Sequence, residues 1–160
     1  MSALRVGLVD LDTSHPGSFV PLLRKMGHEV TTVYDSPFSV NPAGFAEEFS
    51  LEHDIAGVSD SLEQMAEQVD VVFIHSCNWD VHVSHAQPFV EAGKAVFIDK
   101  PMAGKVRDLN QLIDWSRQGA RITGGSSLGY CPEVIDWLQA NDPKKDWVYG
   151  FAGCGVDDYN

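Results

Sequence analysis

Short apolar runs alternate with helix-length segments along most of the sequence, and this alternation constrains the fold more than any other feature. Runs rich in β-branched and other apolar residues recur at residues 5–10, 28–34, 70–74, 95–98 and 120–123. The segments between them place apolar residues at helical spacing or carry residues that start and stop helices. Strands that alternate with helices in this way form βαβ units and a parallel sheet. We therefore predict an α/β fold, a Rossmann-like doubly wound parallel sheet in a single domain, with helices on both faces.

Capping residues and helix-ending glycines set the predicted helix boundaries. The predicted helices cover residues 18–26, 45–49, 62–68, 81–92, 106–118 and 131–138. Ser18 is the predicted N-cap of the first helix, and Ser61 or Asp60 is that of the third. We place Pro21 in the first turn of the first helix, where its missing N–H does little harm.

The C-terminal residues form a separate region in this interpretation. We place the Rossmann-like domain at residues 1–142, and a linker with one orphan strand at residues 143–160. This region would be the start of a C-terminal domain that the sequence lacks. An unpaired strand at 147–153 would add to another sheet edge, so we expect a homodimer or a hetero-complex.

The charge and the cysteines exclude several functional classes. The chain has 23 acidic and 11 basic residues and a net charge of −12, which repels phosphate backbones and anionic lipids. We therefore expect neither nucleic acid nor membrane as a partner, and no segment reads as a membrane span or a secretory signal. Three widely spaced cysteines, Cys77, Cys131 and Cys154, form no disulfide framework, so we expect a cytoplasmic protein.

The turn after the first strand departs from the pattern of dinucleotide-binding folds. Such folds place three glycines there, and the backbone N–H groups of the turn hold a pyrophosphate. Asp10, Asp12 and His15 stand at the corresponding spacing. Two carboxylates would repel a pyrophosphate unless they point away or hold a cation. Two interpretations stay open: a modified phosphate turn that uses the hydroxyls of Thr13 and Ser14, and a polar turn that binds no nucleotide.

A stretch in the middle of the chain carries the most specific pattern. It contains the apolar run 70–74, then Glu91-Ala92-Gly93-Lys94, and finally the triplet Asp99-Lys100-Pro101. This stretch resembles the N-terminal domain of the Gfo/Idh/MocA family of oxidoreductases. Counting back from Gly93-Lys94 puts His82 on the family's helix-start histidine and Trp79 on its usual asparagine. The triplet takes the place of the family's Glu-Lys-Pro, and residues 60–63 and 130–132 are also similar to family landmarks.

The resemblance implies an NAD(P)-dependent oxidoreductase that acts on a sugar, a cyclitol or a related alcohol. It places Lys100 near the nicotinamide and the substrate as the candidate catalytic residue. Physically, Lys100 leaves a buried strand before a proline, so its ammonium could be held over a pocket and assist proton transfer. An alternative is a lysine that pairs only with Asp99 or another carboxylate. The candidate cofactor-binding residues are Asp12, Thr13, Ser14, His15, Asp35, Ser76, Trp79, His82, Asp99 and Pro101.

Asp35 is the candidate ribose ligand, because it ends the second strand 25 residues after Asp10. A carboxylate there favours NAD over NADP, so NAD is the expected cofactor. An ordinary turn aspartate is the alternative, and cofactor-free protein stays open. We expect Lys100 to face Asp35 across a crevice wide enough for a dinucleotide.

The family's second domain normally supplies the substrate pocket and a catalytic histidine, and no histidine follows His85. Whether the chain is an enzyme is therefore left open. It is either an oxidoreductase completed by a partner chain, with a small-molecule substrate, or a non-redox binding or assembly subunit that kept the fold and lost the cofactor.

We predict no metal site. Two groups of metal-ligand residue types come together in the sequence without a binding pattern. One comprises His75, Cys77, Asp80, His82 and His85, and the other comprises Asp10, Asp12 and His15. A Gly-x-Ser-x-Gly match at 125–129 lacks the later histidine that a hydrolase needs.

Overall fold

The computed structural model describes residues 2–141. Its strands are β1 (Arg5–Val9), β2 (Glu29–Tyr34), β3 (Gly57–Val58), β4 (Val71–Ile74), β5 (Ala95–Ile98) and β6 (Ile122–Gly124). They form one sheet in the order β3-β2-β1-β4-β5-β6, and every neighbouring pair is parallel. The predicted Rossmann-like α/β sheet is confirmed.

The helices are α1 (His15–Lys25), α2 (Phe45–Glu52), α3 (Leu62–Gln68), α4 (His82–Glu91), α5 (Val106–Arg117) and α6 (Pro132–Ala140). Short 3₁₀ turns cover Trp79–Val81 and Ser127–Tyr130. The bounds of α3 and β5 match the prediction. Ser61 is confirmed as the cap of α3, because its hydroxyl accepts a hydrogen bond from the Gln64 N–H at 3.1 Å.

Helices cover both faces of the sheet because neighbouring residues of a strand point to opposite sides. On one face, Leu8 of β1 packs with Val20 and Leu23 of α1. On the other face, Val9 packs with Met65 of α3 and Phe89 of α4. Gly7 allows α3 to approach closely, since a Cβ there would lie 2.6 Å from the sulfur of Met65.

The start of α1 differs from the prediction, and the difference moves a functional candidate. The helix begins at His15, three residues before the predicted cap Ser18. The Ser18 N–H and hydroxyl both donate to the carbonyl oxygen of Ser14, at 3.2 and 3.0 Å, so Ser18 lies inside the helix. Pro16 takes the first-turn position, and Pro21 lies further along the helix. As a result, the side chain of His15 starts α1 beside the end of β1.

Residues up to Ser126 form one compact unit, and Ser127 opens a second. The predicted extent of the Rossmann-like domain, residues 1–142, stays a prediction. Within the second unit, α6 has no buried residue in the part that the structure describes. The predicted boundary at Pro143 and the predicted strand 147–153 lie outside the described residues. Among the described helices, none has the length and apolar character that a bilayer crossing requires.

Candidate functional site

Polar residues follow the carboxyl ends of four neighbouring strands. Asp10 follows β1, Asp35 follows β2, His75 follows β4 and Asp99 follows β5. Chain order reverses in this sheet between β1 and β4. Ligands of open parallel sheets bind outside the carboxyl ends of the strands at such a reversal. We therefore place the candidate site there.

Asp10 joins the loops on the two sides of β1. Its carboxylate is fully buried and accepts hydrogen bonds from the Ser36 N–H at 2.7 Å and from the Ser76 hydroxyl. Ser36 follows β2 and Ser76 follows β4, so one carboxylate ties both loops together. The backbone of Asp10 has a φ of 54°, in the left-handed region that favours glycine.

Asp12 makes a second connection of the same kind. One carboxylate oxygen accepts from the Ser39 hydroxyl at 2.7 Å and from the Val40 N–H at 3.1 Å. The other accepts from the Cys77 N–H at 2.7 Å. We call Asp10 and Asp12, with the five groups that donate to them, the carboxylate bridge. It links the loop after β2 to the loop after β4 across the end of β1.

Asp35, the predicted ribose ligand, lies next to the carboxylate bridge. One of its oxygens accepts from the Leu11 N–H at 2.8 Å, and the other accepts from the Asn41 side-chain amide at 3.2 Å. Burial raises the pKa of Asp35, and these two hydrogen bonds oppose that rise. Both carboxylate oxygens therefore already bind protein groups, and a ribose would have to share them. The ribose role of Asp35 stays a prediction.

Asp99 forms a second polar centre at the end of β5. One of its oxygens accepts hydrogen bonds from Nδ1 of His15 and, at 3.0 Å, from Nδ1 of His75. The other accepts from the Lys100 N–H at 2.7 Å. Burial alone would raise the pKa of Asp99, but the hydrogen bonds from His75, His15 and Lys100 outweigh it, so the pKa lies well below its ordinary value. Asp99 is therefore an anion at neutral pH.

The two partner histidines differ in their surroundings. His75 is fully buried and packs against the rings of Phe19, Phe73 and Phe97. Burial lowers the pKa of His75, which favours the neutral imidazole. Its Nε2 has no hydrogen-bond partner among the described residues. In contrast, the His15 side chain is 36% exposed. His15 is therefore the histidine of this centre that a ligand can reach from solvent.

His15 and Asp99 are two of the residues by which this chain departs from the family pattern. His15 stands at the third glycine position of the first turn, and Asp99 stands at the glutamate of the Glu-Lys-Pro triplet. Since the two side chains are hydrogen-bonded to each other, the two departures form one structural feature.

His15, His75 and Asp99 could also hold a metal ion. Each offers one ligand atom, and these atoms lie within 4.8 Å of one another. Two imidazoles and a carboxylate are ligands that zinc, iron and manganese accept. This set is neither of the two groups weighed from the sequence. The hydrogen bonds of both Nδ1 atoms to Asp99 explain the same contacts without an ion.

Lys100 follows this centre and has an exposed side chain. The peptide bond between Lys100 and Pro101 is cis. Burial raises the pKa of the Cys77 thiol, the charge of Asp12 raises it further, and the charge of Lys100 lowers it. The Lys100 ammonium therefore acts on the loop after β4, close to one end of the carboxylate bridge.

The other predicted residues have structural contacts. The Thr13 hydroxyl accepts from the His15 N–H at 3.2 Å, and Ser14 is the N-cap of α1 without a side-chain cap bond. Buried His82 donates from Nε2 to the Ser76 carbonyl at 2.9 Å and so fixes the loop after β4. Trp79 packs against Gly104, where a Cβ would lie 2.1 Å from its ring. These contacts position loops, and the cofactor roles stay predictions.

Sequence reasoning missed the loop after β2. Ser36, Ser39, Val40 and Asn41 supply most of the partners of the three aspartates on this side. A signal was present, because small polar residues are frequent at 36–41 and two acidic residues stand at glycine positions. Side chains of this type accept or donate over short distances in turns.

A dinucleotide across the end of β1 would meet the carboxylate bridge. It would bind in the crevice with its pyrophosphate over the first turn, between the loops that the carboxylate bridge ties together. The N–H groups of Ser36, Val40 and Cys77 already donate to carboxylates. These carboxylates would also repel a phosphate. Asp10 and Asp12 therefore place carboxylates where glycines would leave the turn open to a phosphate.

Comparison with known proteins identifies the family. The family model for Gfo/Idh/MocA, described as an oxidoreductase family with an NAD-binding Rossmann fold, matches residues 14–123. YceM of Salmonella typhimurium, named as an oxidoreductase, is 27% identical over 118 residues, which are 74% of this chain and 36% of that protein.

Solved structures show the same fold. UDP-N-acetylglucosamine 3-dehydrogenase GnnA from Acidithiobacillus ferrooxidans superposes with a TM-score of 0.68 at 20% identity, over 88% of this chain and 44% of that chain. GenD2 from gentamicin A biosynthesis, solved in complex with NAD, gives a TM-score of 0.71 at 17% identity, over 88% of this chain and 39% of that one. The chain thus spans less than half the length of these relatives. Because the family model covers more than half of the sequence, the chain belongs to the Gfo/Idh/MocA family of oxidoreductases, which have an NAD-binding Rossmann fold.

Proposed function

We propose that this chain is the cofactor-side domain of an oxidoreductase that acts on a small polyhydroxylated alcohol, such as a sugar or a cyclitol, or on the corresponding carbonyl compound. The family membership and the polar centre at the end of β5 support this proposal. The expected hydride carrier of the family is NAD, and the carboxylate of Asp35 at the end of β2 disfavours NADP.

The observation that carries the proposal is the way in which Asp99 holds two functional groups. One oxygen fixes the imidazole of His15, and the other fixes the backbone of Lys100. A His15 Nδ1–H that donates to Asp99 leaves Nε2 as a proton acceptor, as in other histidine–carboxylate pairs. We assign to His15 the removal of a hydroxyl proton and to Lys100 the binding and orientation of that oxygen. Because the carboxylate bridge opposes a dinucleotide across β1, we assign no step to the cofactor.

The relatives are longer than this chain, so we extend the proposal to the origin of the other residues of the substrate pocket. This chain spans 36% of YceM and 44% of GnnA. We propose that the remaining pocket residues come from protein outside this chain, either in a longer polypeptide or in a partner subunit.

The proposal is tested by fluorescence titration of the chain with NADH. We expect weak but saturable binding, because the carboxylate bridge opposes the pyrophosphate while the polar centre at the end of β5 remains accessible. Lys100→Met should weaken this binding further, because it removes the ammonium that we place at the nicotinamide end. Lys105→Met is the matched control, since Lys105 is an exposed lysine that pairs with Asp80 at 2.7 Å. A flat titration of the unchanged chain up to millimolar NADH would contradict the proposal.

The alternative function is a non-redox binding subunit that has no cofactor. The carboxylate bridge lies across the cofactor path, which a subunit without a cofactor would tolerate. The family match favours the oxidoreductase. The same titration separates the two, because the second candidate predicts no response to NADH.

A further inference from the structure

We propose that Asp10 and Asp12 determine ligand specificity by acting as internal anions: their carboxylates keep a pyrophosphate out of the crossing between the loops after β2 and β4. Replacing them by glycine should let the chain bind a pyrophosphate there. The inference rests on the proposed function in one respect, since it takes this crossing as the path of a dinucleotide.

The donors of the carboxylate bridge have the chemistry of a phosphate site. They are the backbone N–H groups of Ser36, Val40 and Cys77 and the hydroxyls of Ser39 and Ser76. Backbone N–H groups that converge from two loops are a common way of binding phosphate oxygens. In this chain the same groups bind carboxylate oxygens that belong to the protein. The donors that could bind a phosphate are therefore present, but they already donate to carboxylates of the protein.

The charge of the two carboxylates is poorly neutralised. Asp10 is fully buried and Asp12 nearly so. Among the described residues, the only ion-pair partner of the two is His85, whose Nδ1 lies 3.4 Å from Asp10. Burial lowers the pKa of His85, so this imidazole tends to be neutral at neutral pH. No lysine or arginine of the described chain pairs with either carboxylate, and an incoming phosphate meets their negative charge.

The backbone of the first turn already has a conformation suited to glycine. Asp10 has a φ of 54°, which an aspartate tolerates and a glycine adopts freely. A change of Asp10 to glycine therefore removes the carboxylate without requiring a new backbone path. The carboxylate side chains, and not the backbone of the turn, therefore exclude a dinucleotide.

The test compares Asp12→Gly and the double variant Asp10→Gly/Asp12→Gly with the unchanged chain. Asp54→Gly is the control, because Asp54 also has a positive φ, of 51°, and its replacement removes one carboxylate, as Asp12→Gly does, but it lies after α2. Each protein is titrated with inorganic pyrophosphate, followed by thermal shift, and with NADH, followed by fluorescence. We expect the double variant to bind pyrophosphate at least about tenfold more tightly than the unchanged chain, since a repelling charge within a few ångströms is gone. Asp54→Gly should match the unchanged chain.

Each outcome decides between the claims. Equal pyrophosphate affinity in the unchanged chain and the double variant overturns the inference. Tight NADH binding by the unchanged chain, without a gain in the variants, overturns the inference but supports the proposed function. A gain in pyrophosphate affinity without NADH binding by any form supports the inference and contradicts the proposed function.

A glycine variant that fails to fold, as judged by far-UV circular dichroism, is replaced by Asp12→Asn. This variant keeps the side-chain size and removes the charge. The inference then predicts that Asp12→Asn binds pyrophosphate more tightly than the unchanged chain does. An unchanged affinity overturns it.

Discussion

The segment from β4 to β5 and the first turn lie side by side at the same edge of the sheet, but they relate differently to the family pattern. Residues 70–101 keep the pattern almost throughout, and their strands and helix fall close to where periodicity predicts them. The turn at 10–15 replaces all three glycine positions, and each replacement has partners: Asp10 and Asp12 join two loops, and His15 binds Asp99. The comparison shows that a framework of the family's pattern can surround a crevice whose chemistry departs from that pattern.

Removal of the contact between the two regions should have the largest effect. Asp99→Leu leaves the buried Nδ1 of His75 and the Lys100 N–H without their acceptor. We expect a loss of about 3 kcal/mol in the free energy of unfolding, measured with urea. Asp80→Leu is the control, because it breaks an exposed pair with Lys105 and should cost below about 1 kcal/mol. Equal losses in the two variants would show that Asp99 does not join the regions.

The same centre predicts a loss of stability on acidification. Burial keeps the pKa of His75 below that of a histidine in the unfolded chain, so the unfolded state takes up the proton first. The free energy of unfolding must then fall as the pH drops below about 6.5. The lowered pKa of Asp99 adds a further loss as the pH falls through the ordinary range of carboxylates.

Urea unfolding at a series of pH values measures this dependence. His75→Phe, which keeps a ring among Phe19, Phe73 and Phe97, should fall less steeply just below pH 6.5. If the unchanged chain were as stable at pH 5 as at pH 7, the neutral buried His75 would be contradicted.

A smaller effect should appear at Cys77, which lies where the two regions meet. Burial raises the pKa of its thiol, Asp12 adds to that rise and Lys100 opposes it. Because the thiolate is the reactive form, Asp12→Asn should speed alkylation of Cys77 by iodoacetamide, and Lys100→Met should slow it. Mass spectrometry follows each cysteine separately, with Cys131 as the internal reference. Identical Cys77 rates in all three proteins would place Lys100 and Asp12 away from the thiol.

Much of the fold could be predicted because its signals are local. The bounds of α3 follow from the capping hydroxyl of Ser61, and β5 is a short apolar run that ends at Asp99. The prediction failed at the start of α1 and at β3. Ser18 has the chemistry of a cap but donates to Ser14 within the helix, and the two-residue strand β3 is too short to show a period.

Less of the candidate site than of the fold could be predicted from the sequence. The positions of Lys100 and Asp99 could be read from the triplet, and the unusual first turn could be recognised from its missing glycines. The partners of that turn could not, because Ser36 and Cys77 come close to it only when β2 and β4 pair on either side of β1. The number of possible partners for a buried carboxylate is large, and the sheet order selects among them.

Amide hydrogen exchange of the residues that donate to the carboxylate bridge tests its existence most directly. We predict slow exchange of the N–H groups of Ser36, Val40 and Cys77 in the unchanged chain. In Asp12→Gly, Val40 and Cys77 should exchange faster while Ser36, which Asp10 holds, stays slow. Fast exchange of all three groups in the unchanged chain, or no response of Val40 and Cys77 to the loss of Asp12, would contradict a crevice closed by carboxylates.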